Sequence, residues 1–147
     1  MTVIISRIED ELPEGIAALR ALAEAEGVNN VGLLIDRWRD GSERFAEPGA
    51  LFAACLGGEL AGVGGLTVQA GLDRPAMRMR RLYVAPDFRR SGVGRNLAAA
   101  MMQQGFEAAD MLTCNARASA AAPAFWEAMG LVAASEGRDF THWMRRG

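Results

Sequence analysis

Apolar and polar positions switch between two periods along the chain, and the switches mark its elements. Val3 to Ser6 reads as a short strand. From Pro13 to about Glu26, Ile16, Leu19, Leu22 and Ala23 share one helical face. Pro13 falls where a first helical turn tolerates a missing N–H. Gly27 to Asn30 breaks the pattern, Leu33 to Arg39 gives a second, short helix, and Gly41 to Gly49 reads as a loop. Ala50–Leu56 and Glu59–Val68 are apolar strands around Gly57-Gly58, which fits a two-residue hairpin turn. Gly62, Gly64 and Gly65 inside the second strand point to a bulge or a close backbone contact. After a turn at Ala70 to Pro75, Met77 to Val84 is a strand with partial alternation, stopped by Pro86. Gly92 to Ala109 is a long helix. Val93, Leu97 and Met101 form one row on it, and Ala98, Met102 and Phe106 form another. Met111–Cys114 is a short buried strand. Pro123 opens a helix through Met129 that Gly130 ends, and Leu131–Ala134 and Phe140–Met144 close the fold. The order β-α-α-β-β-β-α-β-α-β-β predicts an α/β (α+β) mixed sheet with helices on both faces.

Composition narrows the class. A chain of 147 residues and 15.7 kDa is the size of one domain, here residues 1–147. At 50% apolar and 23% charged residues, disorder is excluded as the main state. The net charge of -2 argues against bulk nucleic acid or an anionic membrane as partner. Two isolated cysteines, Cys55 and Cys114, make no disulfide framework, and the one histidine, His142, makes no metal cluster, so no metal is expected. The N-terminus turns acidic at Glu9-Asp10-Glu11, unlike a signal peptide. The longest uncharged stretch, Leu60 to Leu72, is too short to span a bilayer. A cytoplasmic setting is the expectation.

The stretch that carries chemistry is Arg81 to Arg95: a strand, a short Arg-rich turn, then a helix opened by Gly92 and Gly94. Glycines let an anion approach the backbone. The first helical turn adds unpaired N–H groups and positive potential, and together they make a phosphate site. Arg89, Arg90 and Arg95 flank it. The Walker pattern needs a lysine, and the chain has none. The dinucleotide fingerprint needs a third glycine or alanine where Leu97 stands, and Gly62-Val63-Gly64-Gly65 lies within a hairpin strand. What remains is Arg-x-x-Gly-x-Gly, held by Arg89, Gly92 and Gly94.

With Leu82-Tyr83-Val84-Ala85-Pro86 before it, this loop resembles that of the GNAT superfamily of acyl-CoA-dependent N-acetyltransferases. A second block, Leu112 to Asn115 followed by Ala122-Pro123-Ala124-Phe125-Trp126-Glu127-Ala128-Met129-Gly130-Leu131, is similar to the family's Ala-x-x-Phe-Tyr-Glu-x-x-Gly-Phe. The resemblance implies a mostly antiparallel sheet splayed at its fourth and fifth strands. It implies acetyl-CoA as co-substrate and direct transfer to a small-molecule or peptide amine. Backbone groups of Leu82 and Val84 would pair with the pantetheine arm, with Tyr83 between them, and the Val84 N–H would polarise the thioester carbonyl. The loop Arg89, Arg90, Ser91, Gly92, Val93, Gly94 and Arg95 would hold the pyrophosphate, and Asn115 and the helix with Phe125 and Trp126 would contact the lower pantetheine and the sulfur.

Three positions depart from the pattern. Trp126 stands where many members carry a thiolate-protonating Tyr, and Ser119 stands where an Asn is common. Met77 to Arg80 offers no Glu base. Proton removal then falls to water or to Asp36, Glu26 or His142, and Tyr83 is a candidate acid on the face opposite Leu82 and Val84. A catalytically silent acyl-CoA sensor is the alternative function, and a nucleotide-binding fold a further one. Arg78, Arg80 and Arg81 read as a solvated or cofactor-adjacent face, Trp38 as core and Cys114 as a buried hydrophobe. The expected partners are the amine acceptor and, since open sheets of this type often dimerise, a second copy of the chain in a homodimer.

Overall fold

A computed structural model describes residues 2–147. The strands are β1 (Ile4–Ile8), β2 (Ala50–Leu56), β3 (Glu59–Val68), β4 (Ala76–Val84), β5 (Met111–Cys114), β6 (Val132–Ala133) and β7 (His142–Arg145). The helices are α1 (Ile16–Ala25), α2 (Asn30–Asp40), α3 (Val93–Ala108) and α4 (Ala122–Ala128). The strands form one sheet in the order β1-β2-β3-β4-β5-β7-β6. Among the described residues only β4–β5 is a parallel pair. This is the mixed sheet that the element order predicts, mostly antiparallel as the resemblance implies.

Two apolar layers sandwich the sheet. On one face α1 and α2 bury Ile16, Leu19, Leu34, Ile35 and Trp38 against Val63 and Tyr83. On the other, Met101 of α3 and Trp126 of α4 pack with Leu66, Met77, Met79 and Leu112. β4 therefore presents Met77 and Met79 to α3, and alternation turns Arg78 and Arg80 toward the α1/α2 face.

The glycines of β3 are required by close approach. A Cβ at Gly62 would lie 2.6 Å from the Tyr83 carbonyl oxygen, one at Gly64 2.7 Å from the Met101 sulfur, and one at Gly65 2.7 Å from the Phe45 ring. The β2–β3 hairpin turns on Gly57 (φ 61°) and Gly58 (φ 81°), both in the region a two-residue primed turn demands.

The geometry that opens the molecule lies in β4. Its parallel pairing with β5 runs from Ala76↔Met111 to Met79↔Cys114 and stops, while β4 continues to Val84. On the other side, Val63 pairs with Tyr83 and Gly65 with Arg80, so Arg81 and Leu82 together oppose the single residue Gly64. This is a β-bulge, and Arg81 within it has φ 60°. The two strands splay beyond it.

Of the boundaries that shift from the pattern reading, among them β1 at Ile4–Ile8 and β7 at His142–Arg145, three have a visible local cause. Pro13 precedes α1, because Gly15 takes φ 91° and starts the helix at Ile16. α2 begins a turn earlier than Leu33, at Asn30, whose side chain is anchored to β4. β6 keeps only two residues, since the Leu131 N–H donates to the Trp126 carbonyl at 3.1 Å and stays with α4.

Replacing Gly62 by Ala drives a methyl group into the β4 backbone. Overpacking of this kind costs about 1–3 kcal/mol. Thermal denaturation should show Gly62→Ala melting several degrees below the native chain, roughly 2–4 °C for each kcal/mol lost. An unchanged melting temperature would contradict the β3–β4 spacing.

Candidate active site

Past the bulge, β4 borders a cleft of about 1000 Å³, at the top of the range for ligand pockets. Its walls come from the α1–α2 connection, the second half of β4, the start of α3, and the segment from Cys114 to Trp126. Alternation settles what β4 offers it. The Ala85 N–H donates to the Ala61 carbonyl at 2.8 Å, so it points at β3. The N–H and C=O groups of Leu82 and Val84 then point the opposite way, toward the edge β5 has left. Both carbonyls are capped there: Asn30 Nδ2 donates to Leu82 O at 2.9 Å, and Arg89 Nε to Val84 O at 3.2 Å. The two N–H groups remain as donors along an open strand edge.

At the cleft's other end, Gly92 caps α3 with φ 80°, and Arg90 before it also has positive φ, 67°. The Asn96 N–H makes the first bond of this turn, to Gly92 O at 3.0 Å. Among the described residues, the amides of positions 90–95 donate to no backbone carbonyl and no side chain. A 16-residue helix aims its positive end at the same place. Gly94 allows the loop to close on α4: a Cβ there would meet the Phe125 ring at 3.3 Å and Val84 Cγ2 at 3.6 Å.

A charged clamp ties loop to wall. Arg89 grips Glu26 with two hydrogen bonds, at 2.7 and 2.8 Å, and the Tyr83 hydroxyl donates to the same carboxylate. The Arg89 guanidinium lies 5.7 Å from the Tyr83 ring centre. Glu26 caps the C-terminus of α1, where a carboxylate is unfavourable without such a partner. The hydrogen bonds from Arg89, then from Tyr83, hold Glu26 below the ordinary carboxylate range. Burial first, then Glu26, pushes the Tyr83 phenol up to about 12. Burial also pushes the Cys114 thiol, at the root of the splay, up to about 12. This thiol is a packing group, not a nucleophile.

A family model described as "Acetyltransferase (GNAT) family" matches residues 16–131. The chain belongs to the GNAT acetyltransferase family. A candidate acetyltransferase from Exiguobacterium sp. 255-15 has 28% identity and a TM-score of 0.86, over 99% of this chain and 94% of that one. Lower in identity, and so evidence of fold alone, are two others. Glucosamine-6-phosphate N-acetyltransferase from Arabidopsis thaliana has 14% identity, TM-score 0.66, and covers 95% and 97% of the two chains. A mutant of the toxin AtaT, bound to acetyl-CoA and the C-terminus of the antitoxin AtaR, has 15% identity, TM-score 0.73, and covers 97% and 92%. No curated protein matches the chain. No helix among the described residues is long and apolar enough to cross a membrane.

In this GNAT chain the residues singled out from sequence are gathered unevenly. Leu82, Tyr83, Val84, Arg89, Arg90, Gly92, Gly94, Arg95, Asn115, Phe125 and Trp126 all line the cleft. Ser91 and Val93 complete the turn without lining it, and Val93 is buried beneath it. The Arg89 side chain is spent on Glu26 and Val84 O, leaving Arg90 and Arg95 as the loop arginines without a hydrogen-bond or ion-pair partner among the described residues. Of the three carboxylate or imidazole candidates, only Glu26 lines the cleft. Asp36 pairs with Arg20, and His142 is buried under α4 with Nε2 2.8 Å from Glu127. Trp126 is buried, its ring edge-on to Phe125 with centroids 5.1 Å apart. Two residues escaped the sequence reading. Asn30 sat in an apparent break, although an Asn-Asn pair before an apolar run is a helix-start signal. Glu43 sat in an apparent loop, yet it is buried and pairs with Arg81 through two hydrogen bonds, at 3.0 and 3.4 Å.

Tyr83 is the chain's only tyrosine, so phenolate absorbance reads it alone. At pH 10.5 the folded protein should show only a few per cent phenolate, whereas the urea-unfolded chain should be about three-quarters ionised. Glu26→Gln should raise the folded signal. Equal ionisation in folded and unfolded protein would remove the clamp.

Proposed function

We propose that the protein is an N-acetyltransferase that moves an acetyl group from acetyl-CoA to a primary amine of a small molecule or peptide, within a ternary complex. The observation that carries this is the run of unspent amides at 90–95, facing a cleft that also presents the free N–H groups of a splayed β4. The residues fit the coenzyme. The loop from Arg90 to Arg95 takes the diphosphate, with the Arg90 and Arg95 side chains adding charge-assisted bonds. The Leu82 N–H takes an amide of the pantetheine arm. Phe125, Trp126 and Asn115 wall the end near the sulfur. Acetyl-CoA supplies an activated acetyl group: a C–N bond forms to the amine, the C–S bond breaks, and the amine's proton leaves with the thiol. The family's acetyl-transfer chemistry supports the donor class, and relatives of the same fold bind acetyl-CoA or act on an amino sugar phosphate.

The chain's own contribution is positioning and polarisation. The Val84 N–H is fixed by its strand and lies beside the sulfur-side wall, where a donor to the acyl oxygen stabilises the developing charge. Arg89 holds the Val84 carbonyl and so fixes the peptide unit that follows this N–H. Proton management is sparse. Glu26 stays ionised, Tyr83 stays protonated, and Cys114 stays a thiol across the neutral range. Trp126 carries no acidic proton in that range. The amine must therefore arrive or become neutral through solvent, and the thiolate is protonated by water. The same vacancy favours the second reading, a silent acyl-CoA sensor, which binds the coenzyme and releases no thiol with any amine.

Two measurements test the proposal. Calorimetry should give micromolar acetyl-CoA affinity, reduced at least about 10-fold in Gly94→Asp, which sets a carboxylate against Phe125 and the diphosphate. Equal affinity would remove the loop from the site. The pH profile of kcat/KM should rise to a plateau whose midpoint moves with the pKa of the amine supplied, without a descending limb below about pH 10. A midpoint that stays fixed when the amine is changed would assign an enzymic base and contradict the reading.

A further inference from the structure

The cleft is lined by six arginines, Arg78, Arg80, Arg81, Arg89, Arg90 and Arg95, and by one carboxylate, Glu26, which Arg89 already neutralises. The arginines fall into two groups. Arg89, Arg90 and Arg95 belong to the loop before and into α3. Arg78, Arg80 and Arg81 lie on β4 before Leu82, and Arg78 and Arg80 face the α1/α2 side, away from Met77, Met79 and α3.

Within this second group the donors are unequally spent. Arg81 gives Nε and one terminal nitrogen to Glu43, and its side chain is 10% exposed. Arg78 donates to the Asp139 carbonyl at 3.1 Å and pairs with its carboxylate at 3.5 Å. Arg80 approaches Glu43 at 3.2 Å but makes no hydrogen bond of proper geometry among the described residues, although its side chain is only 29% exposed. Glu43 thus faces Arg37, Arg80 and Arg81 within 4.0 Å, one negative charge among three positive ones. Burial, together with repulsion from Arg81, Arg78 and Arg37, pulls Arg80 below the usual arginine value despite Glu43. A half-buried guanidinium with a local surplus of charge is stabilised by one more anion.

A second, independent feature lies in the same cleft. Asn30 is 9% exposed, and its Oδ1 is buried with no hydrogen-bond partner. The Nδ2 bond to Leu82 O fixes the amide orientation, since the flipped amide would set oxygen against oxygen. An orphaned buried acceptor is destabilising unless a ligand supplies a donor.

Resting on the acetyl-transfer reading, we infer that the acceptor is an amine that also carries an anionic group, a carboxylate or a phosphate: Arg80 receives the anion and Asn30 Oδ1 accepts from the amine N–H. The acceptor then enters from the α1/α2 face, with its charge opposite to that of the arginines, while the diphosphate occupies the separate group at α3. Asn30 touches the same peptide unit of β4 that precedes Tyr83 and Val84, so the amine it holds lies next to the strand edge that positions the acyl group.

Matched pairs test this: an amino acid against its amide, and an amino sugar phosphate against the unphosphorylated sugar. Initial rates of thiol release should favour the anionic member of at least one pair by about 10-fold or more in kcat/KM. Which pair discriminates tells carboxylate from phosphate. Arg80→Met should abolish the preference and leave the acetyl-CoA dissociation constant unchanged, and Arg80→Lys should restore part of it. In the native chain, raising salt should increase KM for the anionic member more than for its neutral partner, a readout that needs no variant. Asn30→Ala should lower kcat/KM for both members alike. Weakened acetyl-CoA binding in that variant would instead place Asn30 with the coenzyme, through its cap on the Leu82 carbonyl or through Oδ1, and overturn its role toward the amine. If no amine turns over, calorimetry of the same pairs on coenzyme A-saturated protein decides. Binding without discrimination, or no binding by either member, overturns the inference. Loss of acetyl-CoA binding by the native protein would instead overturn the acetyl-transfer reading on which it rests.

Discussion

One extra residue in β4 is the constraint on which the rest of the structure depends. Because Arg81 and Leu82 share a single partner position at Gly64, the strand twists away from β5 after Met79. Its second half is left with one unpaired edge. The bulge is costly in itself. A non-glycine residue at φ 60° costs on the order of 1–3 kcal/mol. Arg81 is held there by two hydrogen bonds to Glu43, both side chains about nine-tenths buried. Removing one partner of such a pair typically costs about 3–5 kcal/mol, more than the strain it offsets. The same arginine that opens the cleft thus anchors the α2–β2 connection beside it.

The open edge would normally be a liability, since unpaired strand groups invite other strands. Here it is reduced to donors. Asn30 caps one carbonyl and Arg89 caps the next, and each belongs to an element that also walls the cleft. The clamp of Glu26, Tyr83 and Arg89 then joins the end of α1, the end of β4 and the turn before α3 through one carboxylate. Two sets of amides, from β4 and from the turn at 90–95, are pre-arranged in one cleft without bonding to each other. Preorganised donors need no rearrangement when charge develops, and this is the physical basis of the proposed acyl transfer. It would also let the proposed transfer proceed with so few titratable groups in the cleft.

Much of this was legible in the chain. The hairpin at Gly57-Gly58, the crowded glycines of β3 and the helix start at Gly92 follow from local backbone rules. The order of elements followed from periodicity. The splay itself followed only from resemblance to the family, because Arg80-Arg81-Leu82 carries no glycine to mark a bulge. Long-range polar contacts were invisible for a different reason. Asn30 meets Leu82, Glu43 meets Arg81 and Glu26 meets Arg89, separated by 52, 38 and 63 positions. No local spacing encodes such pairs. Arg89 shows the consequence: its place in the anion motif suggested a phosphate ligand, yet its fork closes on a carboxylate from another helix end.

The central claim is that free main-chain amides at the splayed edge and at the start of α3 form one binding track. Amide NMR shifts recorded while coenzyme A is added test it most directly. The largest changes should fall at Leu82, Val84 and Ser91 to Arg95, with β1 and the exposed face of α3 unmoved. Saturable binding with those amides silent and the changes concentrated elsewhere would contradict it.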